Sequence, residues 1–531
     1  MSSREFDARL AWLAAGDNRR LIERGLRGLE KECLRVGPDG QLSSAPHCRR
    51  FGSALTHPWI TTDYSEALLE FVTPPQGGSE QTLAFLADLH AFVVREGGDE
   101  LLWPASMPCI VASDDAVPIA QYGPSNEGRL RTIYRSGLGV RYGRAMQAIA
   151  GTHFNYSLPP DFWPAFREHE GSRDAERAFK SECLMRLVRN YRRCGWLLTY
   201  LYGASPAFSK SFRPQGHPRL EPLNGDTWYA PFSTSLRVSD MGYRNSTQAR
   251  FSVGVNSLEE YLDGLAAALT EVDPRYAAIG VVVDGEYRQL NANVLQLENE
   301  YYSSIRPKPA SKSPRLIAAL RNSGVEYVEV RTLDLNPFEN TGVSLEQMRF
   351  VEALLLFCLI EASPPITAEE QAEIDQRELA VAWEGRRPGL RLPSQGATMP
   401  LRNCALAILD SLAMIAPSLD DRRASYGRAI DAARDAVLDP ARTLSARVLD
   451  ALGSGKRSFF DWAYELAGRQ REHFLRHEFA PGRLADLKDV AKESLRAAAA
   501  LEAGPEPPFS DYLASLLASG VGGGPAASRN L

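Results

Sequence analysis

The chain has no apolar stretch approaching the roughly 20 residues that a membrane-spanning helix needs. Its longest apolar run extends only from Ala353 to Ile360. The first twenty residues lack the apolar core of a secretory leader, because Arg4, Glu5, Asp7, Arg9 and Asp17 interrupt them, and a cytoplasmic location is expected. No basic block or stripe is present and the formal net charge is −6, so nucleic acid is not an expected partner. Cysteine is sparse and scattered. The 7 thiols, Cys33, Cys48, Cys109, Cys183, Cys194, Cys358 and Cys404, are odd in number and contain no Cys-x-x-Cys pair. Neither a disulfide framework nor a structural zinc site is expected, and a reducing compartment fits. The sequon Asn245-Ser246-Thr247 carries no weight there.

Glycine cradles for phosphate are also missing. Gly453-Ser454-Gly455-Lys456-Arg457 has Asp450 where a P-loop begins with glycine, and Arg457 where a hydroxyl should meet magnesium. Gly137-Leu138-Gly139-Val140-Arg141-Tyr142-Gly143 has the wrong spacing for a dinucleotide fold. A nucleotide bound by this chain must be held through metal ions and arginines. No internal repeat is present.

With 531 residues, 44% of them apolar and 24% charged, the chain can bury a large core. Helices are expected over the first twenty residues, 79–96, 127–149 and 174–204, and through most of 343–500 apart from a Gly/Pro-rich loop at 385–400. Strand-like pieces occupy 20–75, 151–160 and parts of 228–335. The expected class is α+β with a mainly antiparallel sheet. Three parts are expected: 1–342, a helical segment 343–503, and a Gly/Pro-rich, partly disordered tail 504–531.

The informative presence is acid on alternate residues. Glu30 and Glu32, Glu298 and Glu300, and Glu329 with Arg331 each share a strand face if their segments are extended. One Glu-x-Glu strand alone is usually a solvated face. Recurrence on apolar strands changes the balance, because buried carboxylates are costly without a cation between them. Divalent cations clamping a polyphosphate are the economical reading, Mg²⁺ first and Mn²⁺ as its substitute. Asp63 and Glu66 could form a helix capping box, or Asp63 could lie on a loop leading into a strand that carries Glu70. His153 shares a face with Asn155; it is either a structural residue or, as a neutral imidazole, a metal ligand. Arg135, Arg237 and Arg331 supply forked cations suited to carboxylate and phosphate.

Several long segments carry a family likeness. They are Arg24-Gly25-Leu26-Arg27-Gly28-Leu29-Glu30-Lys31-Glu32-Cys33-Leu34-Arg35-Val36, the stretch Gly52 to Asp63, Glu66-Ala67-Leu68-Leu69-Glu70-Phe71, and Ala120-Gln121-Tyr122-Gly123. Leu201 to Ala207, Ile305-Arg306-Pro307-Lys308 and Val325 to Arg331 follow in the same order. From about residue 10 to 340, and more weakly to about 515, the chain resembles the bacterial monomeric (type 1) glutamate–cysteine ligases. The resemblance implies a glutamine synthetase-like, curved, mainly antiparallel sheet forming a funnel, with 1–342 as the catalytic core. It implies ATP-dependent joining of the L-glutamate γ-carboxylate to the L-cysteine amine through γ-glutamyl phosphate, the first step of glutathione biosynthesis. The implied metal ligands are Glu30, Glu32, Asp63, Glu70, His153 and Glu329. Arg331, Glu329 and Arg135 are the implied catalytic residues. Arg237 would hold the glutamate α-carboxylate, and Tyr64, Tyr134, Leu138, Gln147 and Tyr243 would line the cysteine pocket. Asn155 and Arg331 would meet the nucleotide. Glutathione is the implied feedback inhibitor and a monomer the implied state. Two departures are visible: Lys31 where the family carries Arg, and Tyr64 where it carries Phe. No role attaches to Glu298 and Glu300.

Three other functions compete. One is a carboxylate–amine ligase with another amine acceptor, one is a Mg-dependent phosphotransferase, and one is a non-catalytic binder. The tyrosine-lined pocket speaks for a small thiol amine, and so much buried charge speaks against a mere binder.

Overall fold

The longest strand, β1 (Leu26–Val36), alternates between two environments, and that alternation organises the molecule. The computed structural model describes residues 4–213, 216–242, 253–310, 315–394, 396–420 and 424–521. The principal sheet contains β1, β2 (Ile60–Thr62), β3 (Leu68–Val72), β4 (Leu101–Leu102), β5 (Thr152–Ser157), β6 (Ile305–Lys308) and β7 (Tyr327–Leu333). Its order is β6-β7-β5-β1-β3-β2, with every pairing antiparallel and β4 added at the end of β1. The path does not close, so β6 and β2 are edges. The class is α+β, as the sequence pattern leads one to expect.

One face of the sheet is apolar. Leu29 pairs with Phe154, which pairs with Val330, and all three are completely buried. Helices α1 (Ser79–Glu96) and α3 (Glu176–Cys194) lie on this side. Behind them runs α4 (Leu345–Ile360), which is buried around most of its circumference. The nearly continuous apolar run from Phe350 to Ile360 therefore reports a stretch at the centre of the core. Its one acid in that buried stretch, Glu352, is fully buried and accepts from Arg27 Nε at 3.0 Å and from the Tyr426 hydroxyl at 2.9 Å. Among the described residues, no helix is long and apolar enough to cross a membrane.

The other face is polar and concave. Helix α2 (Asn126–Tyr142) and the loop 289–302 rise beside it as walls. A last helix, α5 (Phe509–Val521), packs across both walls, while residues 522–531 lie outside the described residues.

Several expected elements are placed differently. The segment Gln296–Glu300 is not a strand: Glu298–Glu300 form a 3₁₀ turn. The Asp63/Glu66 capping box does not form, because Asp63 sits in the turn between β2 and β3 and Glu66 accepts the His47 and Gln121 amides. The first expected helix divides into Arg4–Ala14 and Asn18–Glu23 around Gly16, whose φ of 54° no helix continues through. The expected 127–149 helix stops at Gly143 (φ 85°), followed by a 3₁₀ turn, Ala145–Ala148. The 174–204 region is two helices divided at Gly195, and 385–400 holds a hairpin, Arg391–Ser394 with Ala397–Pro400. The P-loop-like Gly453–Gly455 is a 3₁₀ turn.

Candidate active site

Strand period 2 puts Glu30 and Glu32 on the polar face of β1, and the register does the rest. Glu32 stands opposite Glu70, and Glu30 opposite His153. Asn155 stands opposite Glu329, which stands opposite Arg306. Residues far apart in sequence therefore form one row across five strands. All of them except Asn155 line a cavity of about 640 Å³, together with Asp63, Tyr64, Tyr134, Arg135, Leu138, Gln147, Arg237 and Arg331. Tyr243 lies outside the described residues, as does the Asn245-Ser246-Thr247 segment. Asn155 lines a second cavity of about 680 Å³ instead, which shares Glu30, Asn299 and Lys308 with the first.

The contacts within the row are short. His153 Nδ1 is 3.0 Å from Glu30 Oε2 and 3.9 Å from Glu329 Oε1, and its Nε2 is 3.5 Å from Glu32 Oε1. Asn155 Nδ2 donates to Glu30 Oε1 at 3.0 Å. Glu329 faces Arg331 at 3.2 Å, Lys308 at 3.5 Å and Arg306 at 3.7 Å. Glu32 accepts the Gly151 amide at 2.7 Å. Gly151 has a reason to be glycine: a Cβ there would lie 1.9 Å from an Arg237 nitrogen. Arg237 is nearly fully buried, donates to the Arg331 carbonyl at 3.1 Å, and lies 3.7 Å from Asp334.

Charge is unevenly balanced along the row. Burial would raise the Glu329 carboxyl, but Lys308, Arg331, Arg306 and His153 outweigh it and hold it well below the ordinary range. Glu30 is likewise lowered: burial and Glu329 push it up, and the His153 hydrogen bond and the His153 and Lys308 charges prevail. At the other end, burial and the charges of Glu30, Asp63 and Glu32 push Glu70 well above the ordinary range, with Arg135 the opposing cation. Glu32 is raised by burial and by Asp63. Ligand atoms of Glu30, Glu70 and His153 all lie within 4.8 Å of one another. Carboxylates that repel each other at this spacing, beside an imidazole, fit a divalent cation with hard oxygen preference.

Arg135 is oriented by the backbone. It donates to the Asp63 carbonyl and, at 3.4 Å, to the Thr62 carbonyl, with its guanidinium 4.6 Å from the Tyr122 ring centroid. It thereby fixes the turn that presents Asp63. The Tyr64 hydroxyl finds no hydrogen-bond partner among the described residues.

Glu298 and Glu300 do not join the row. Glu298 is held by both oxygens to Arg315 Nε at 3.1 Å, and Glu300 meets Arg141 at 3.0 Å and the Tyr142 hydroxyl at 2.7 Å. Sequence reasoning gave no role to Arg306, Lys308, Tyr142, Met146 or Asp240, all of which line the cavity. Arg306 and Lys308 carry the same alternate-residue signal as the acids, and they face Glu329 from the neighbouring strand.

Comparison with known proteins agrees with this geometry. A family model described as glutamate–cysteine ligase matches residues 10–381. The chain is 44% identical over 517 residues to the glutamate–cysteine ligase of Pseudomonas paraeruginosa, covering 97% of this chain and 98% of that protein. It is 45% identical over 497 residues to the Shewanella amazonensis enzyme of the same name, covering 93% and 94%. Its fold is similar to the crystal structure of the Francisella tularensis glutamate–cysteine ligase in complex with AMP, with a TM-score of 0.88, 32% identity, and 93% and 98% of the two chains covered.

Proposed function

The chain belongs to the glutamate–cysteine ligase family, and from that premise we propose how its cavity joins the γ-carboxylate of L-glutamate to the amine of L-cysteine, using ATP, as the first step of glutathione biosynthesis. The observation that carries the reading is the single row of opposed charges, acids from Glu70 to Glu329 and cations from Arg331 to Lys308, in one cavity.

In this reading, Glu30, Glu32, Asp63, Glu70, His153 and Glu329 hold divalent cations, Mg²⁺ or its substitute Mn²⁺. Bound there, such ions would neutralise phosphate charge and polarise the bond to the leaving ADP. Arg331 faces the transferring γ-phosphoryl group, and Glu329 holds its fork at 3.2 Å. Arg237, held between Asp334 and the Arg331 carbonyl, takes the glutamate α-carboxylate. A γ-carboxylate oxygen attacks the γ-phosphorus and ADP leaves. The cysteine amine then attacks the acyl carbon, phosphate departs with the bridging oxygen, and the amine gives up a proton. Tyr64, Tyr134, Leu138 and Gln147 surround the small thiol side chain, and Tyr243 is assigned there from the resemblance alone. The second cavity, with Asn155, Tyr156 and Tyr327 on its walls, suits the nucleoside end of ATP.

Four finer points extend the reading. Glutathione contains both the γ-glutamyl and the cysteinyl group, so it should compete with glutamate; inhibition noncompetitive with glutamate would remove that point. A monomer in the cytoplasm is expected, checked by sedimentation and by cell fractionation. All the site residues fall between Glu30 and Arg331, which supports 1–342 as the catalytic part and 343–503 as its helical support. Limited proteolysis of the whole chain checks that division: cleavage within 343–503 should lower stability before it changes substrate affinities.

The deciding experiment measures phosphate release with ATP, Mg²⁺ and L-glutamate, with and without L-cysteine, and identifies the product by mass. Cysteine-dependent release of γ-glutamylcysteine is expected. Release independent of cysteine would point to the phosphotransferase, and activity only with a different amine would point to the related ligase.

A further inference from the structure

Tyr134 and Leu138 reach the cavity from α2, while Asn299 and Glu300 reach it from the loop 289–302. The two walls meet along one seam. Gln296 fills the space that a side chain at Gly137 would need, with a Cβ there 2.0 Å from its amide oxygen. Its nitrogen donates to the Tyr134 carbonyl at 3.3 Å. Arg141 and Tyr142 close the seam on Glu300.

The segment 506–517 grips both walls from outside. Glu506 accepts the Asn126 amide at 2.8 Å, placing a carboxylate at the positive start of α2. The Asn126 side chain donates to the Pro507 carbonyl at 2.9 Å, and Arg129 stacks 4.4 Å from the Phe509 ring centroid. Phe509 and Leu513 form a buried cluster with Leu130 of α2 and Leu290 of the loop, against which Tyr134 packs. Arg315, 2% exposed, binds Glu298 with Nε and the Leu516 carbonyl with Nη1 at 2.6 Å, tying the loop to α5. None of these groups belongs to the charged row. An ion pair this deeply buried costs desolvation and is poor evidence of stability alone; fixing one geometry is its best-attested use.

We propose that the C-terminal segment 506–517 is a clamp that sets the spacing of the two walls, with Arg315 and Glu298 as positioning residues for the amine-acceptor pocket. This rests on the assignment of that pocket to Tyr134 and its neighbours. The clamp touches α2, the loop 289–302 and the helices at Leu258–Thr270 and Leu316–Ser323. Its Phe509 end meets the α2 wall that carries Tyr134, so loosening that end should act on the amine substrate and spare the metal and phosphate groups, whereas its Arg315–Glu298 end also borders the second cavity.

The test is steady-state kinetics on the full-length chain for Phe509→Ala, Arg315→Lys, their combination and Tyr134→Ala. With the clamp variants folded by circular dichroism, the KM for cysteine should rise about tenfold in each. Phe509→Ala should leave those for ATP and glutamate within about twofold, and Arg315→Lys, whose partner Glu298 lines the second cavity, should raise that for ATP as well. The combined variant should be little worse than either single one, because both open the same seam. Equal increases for all three substrates with Phe509→Ala, or no change in the KM for cysteine, would overturn the clamp. If Tyr134→Ala leaves the KM for cysteine unchanged, the pocket assignment itself fails. If Tyr134→Ala raises it and the clamp variants do not, the clamp alone fails.

Discussion

Gly151→Ala should cripple use of glutamate in a protein that still folds. The added methyl would stand 1.9 Å from one Arg237 nitrogen and 2.4 Å from its central carbon. Ordinary contact needs about 3.4 Å or more, so the guanidinium must retreat by roughly 1.5 Å. The guanidinium is the far end of a flexible side chain, and overpacking of this kind costs about 1–3 kcal/mol of stability. Function should suffer more. A hydrogen bond to a charged group contributes about 1.5–3 kcal/mol, and a fork moved this far loses at least one of two. The expected loss in kcat/KM for glutamate is therefore about ten- to a hundredfold or more. The KM for ATP should move far less, because Arg331 and Lys308 keep their places. Kinetics with glutamate and ATP varied in turn would measure both. A variant whose glutamate parameters stay within about twofold of the parent would refute the placement of Arg237 on that carboxylate.

Other perturbations separate the charged row from the scaffold. Glu329→Gln or Arg331→Ala should lower kcat by about a hundredfold or more without unfolding the chain, read by turnover and circular dichroism; a variant retaining most activity would remove that residue from the mechanism. Arg237→Lys should raise the KM for glutamate far more than that for ATP, because the fork is lost, and equal effects would contradict the assignment. Without divalent cation, the raised Glu70 and Glu32 carboxyls contribute stability only while protonated: it is present below the unfolded carboxyl pKa and lost as pH rises through the raised folded values. Saturating Mg²⁺ should therefore raise Tm more at pH about 8 than at about 6. An equal or larger rise at the lower pH would contradict a cation at these carboxylates. Glu352→Leu leaves Arg27 buried against an apolar partner and should cost about 3–5 kcal/mol in denaturant unfolding, with KM values unchanged.

The charged row was legible wherever it depended on strand period. Glu30/Glu32 and Glu329/Arg331 needed only alternation, and the sheet supplied the facing partners Glu70 and His153. Helix α1 was readable to its ends, because its apolar stripe and the Gly78 and Gly97 boundaries agree. Glu298 and Glu300 show the limit of the same pattern. Their i, i+2 spacing is that of a strand, yet Arg315 and Arg141 hold them in a 3₁₀ turn, and no local signal names those partners. The approach of Arg237 to Gly151 and the grip of α5 on α2 are tertiary facts, invisible to any window of sequence. Arg306 and Lys308 were within reach: they alternate around Pro307 on an edge strand, where proline is tolerated.

Oxygen transfer tests the central claim most directly. L-glutamate labelled with ¹⁸O in its γ-carboxylate is turned over with ATP, Mg²⁺ and L-cysteine, and the released phosphate is weighed by mass spectrometry. If the γ-carboxylate attacks phosphorus in this cavity, each phosphate carries one labelled oxygen from glutamate. Phosphate free of the label would mean that water or another group attacks ATP, and the account of the charged row as an acyl phosphate site would be wrong.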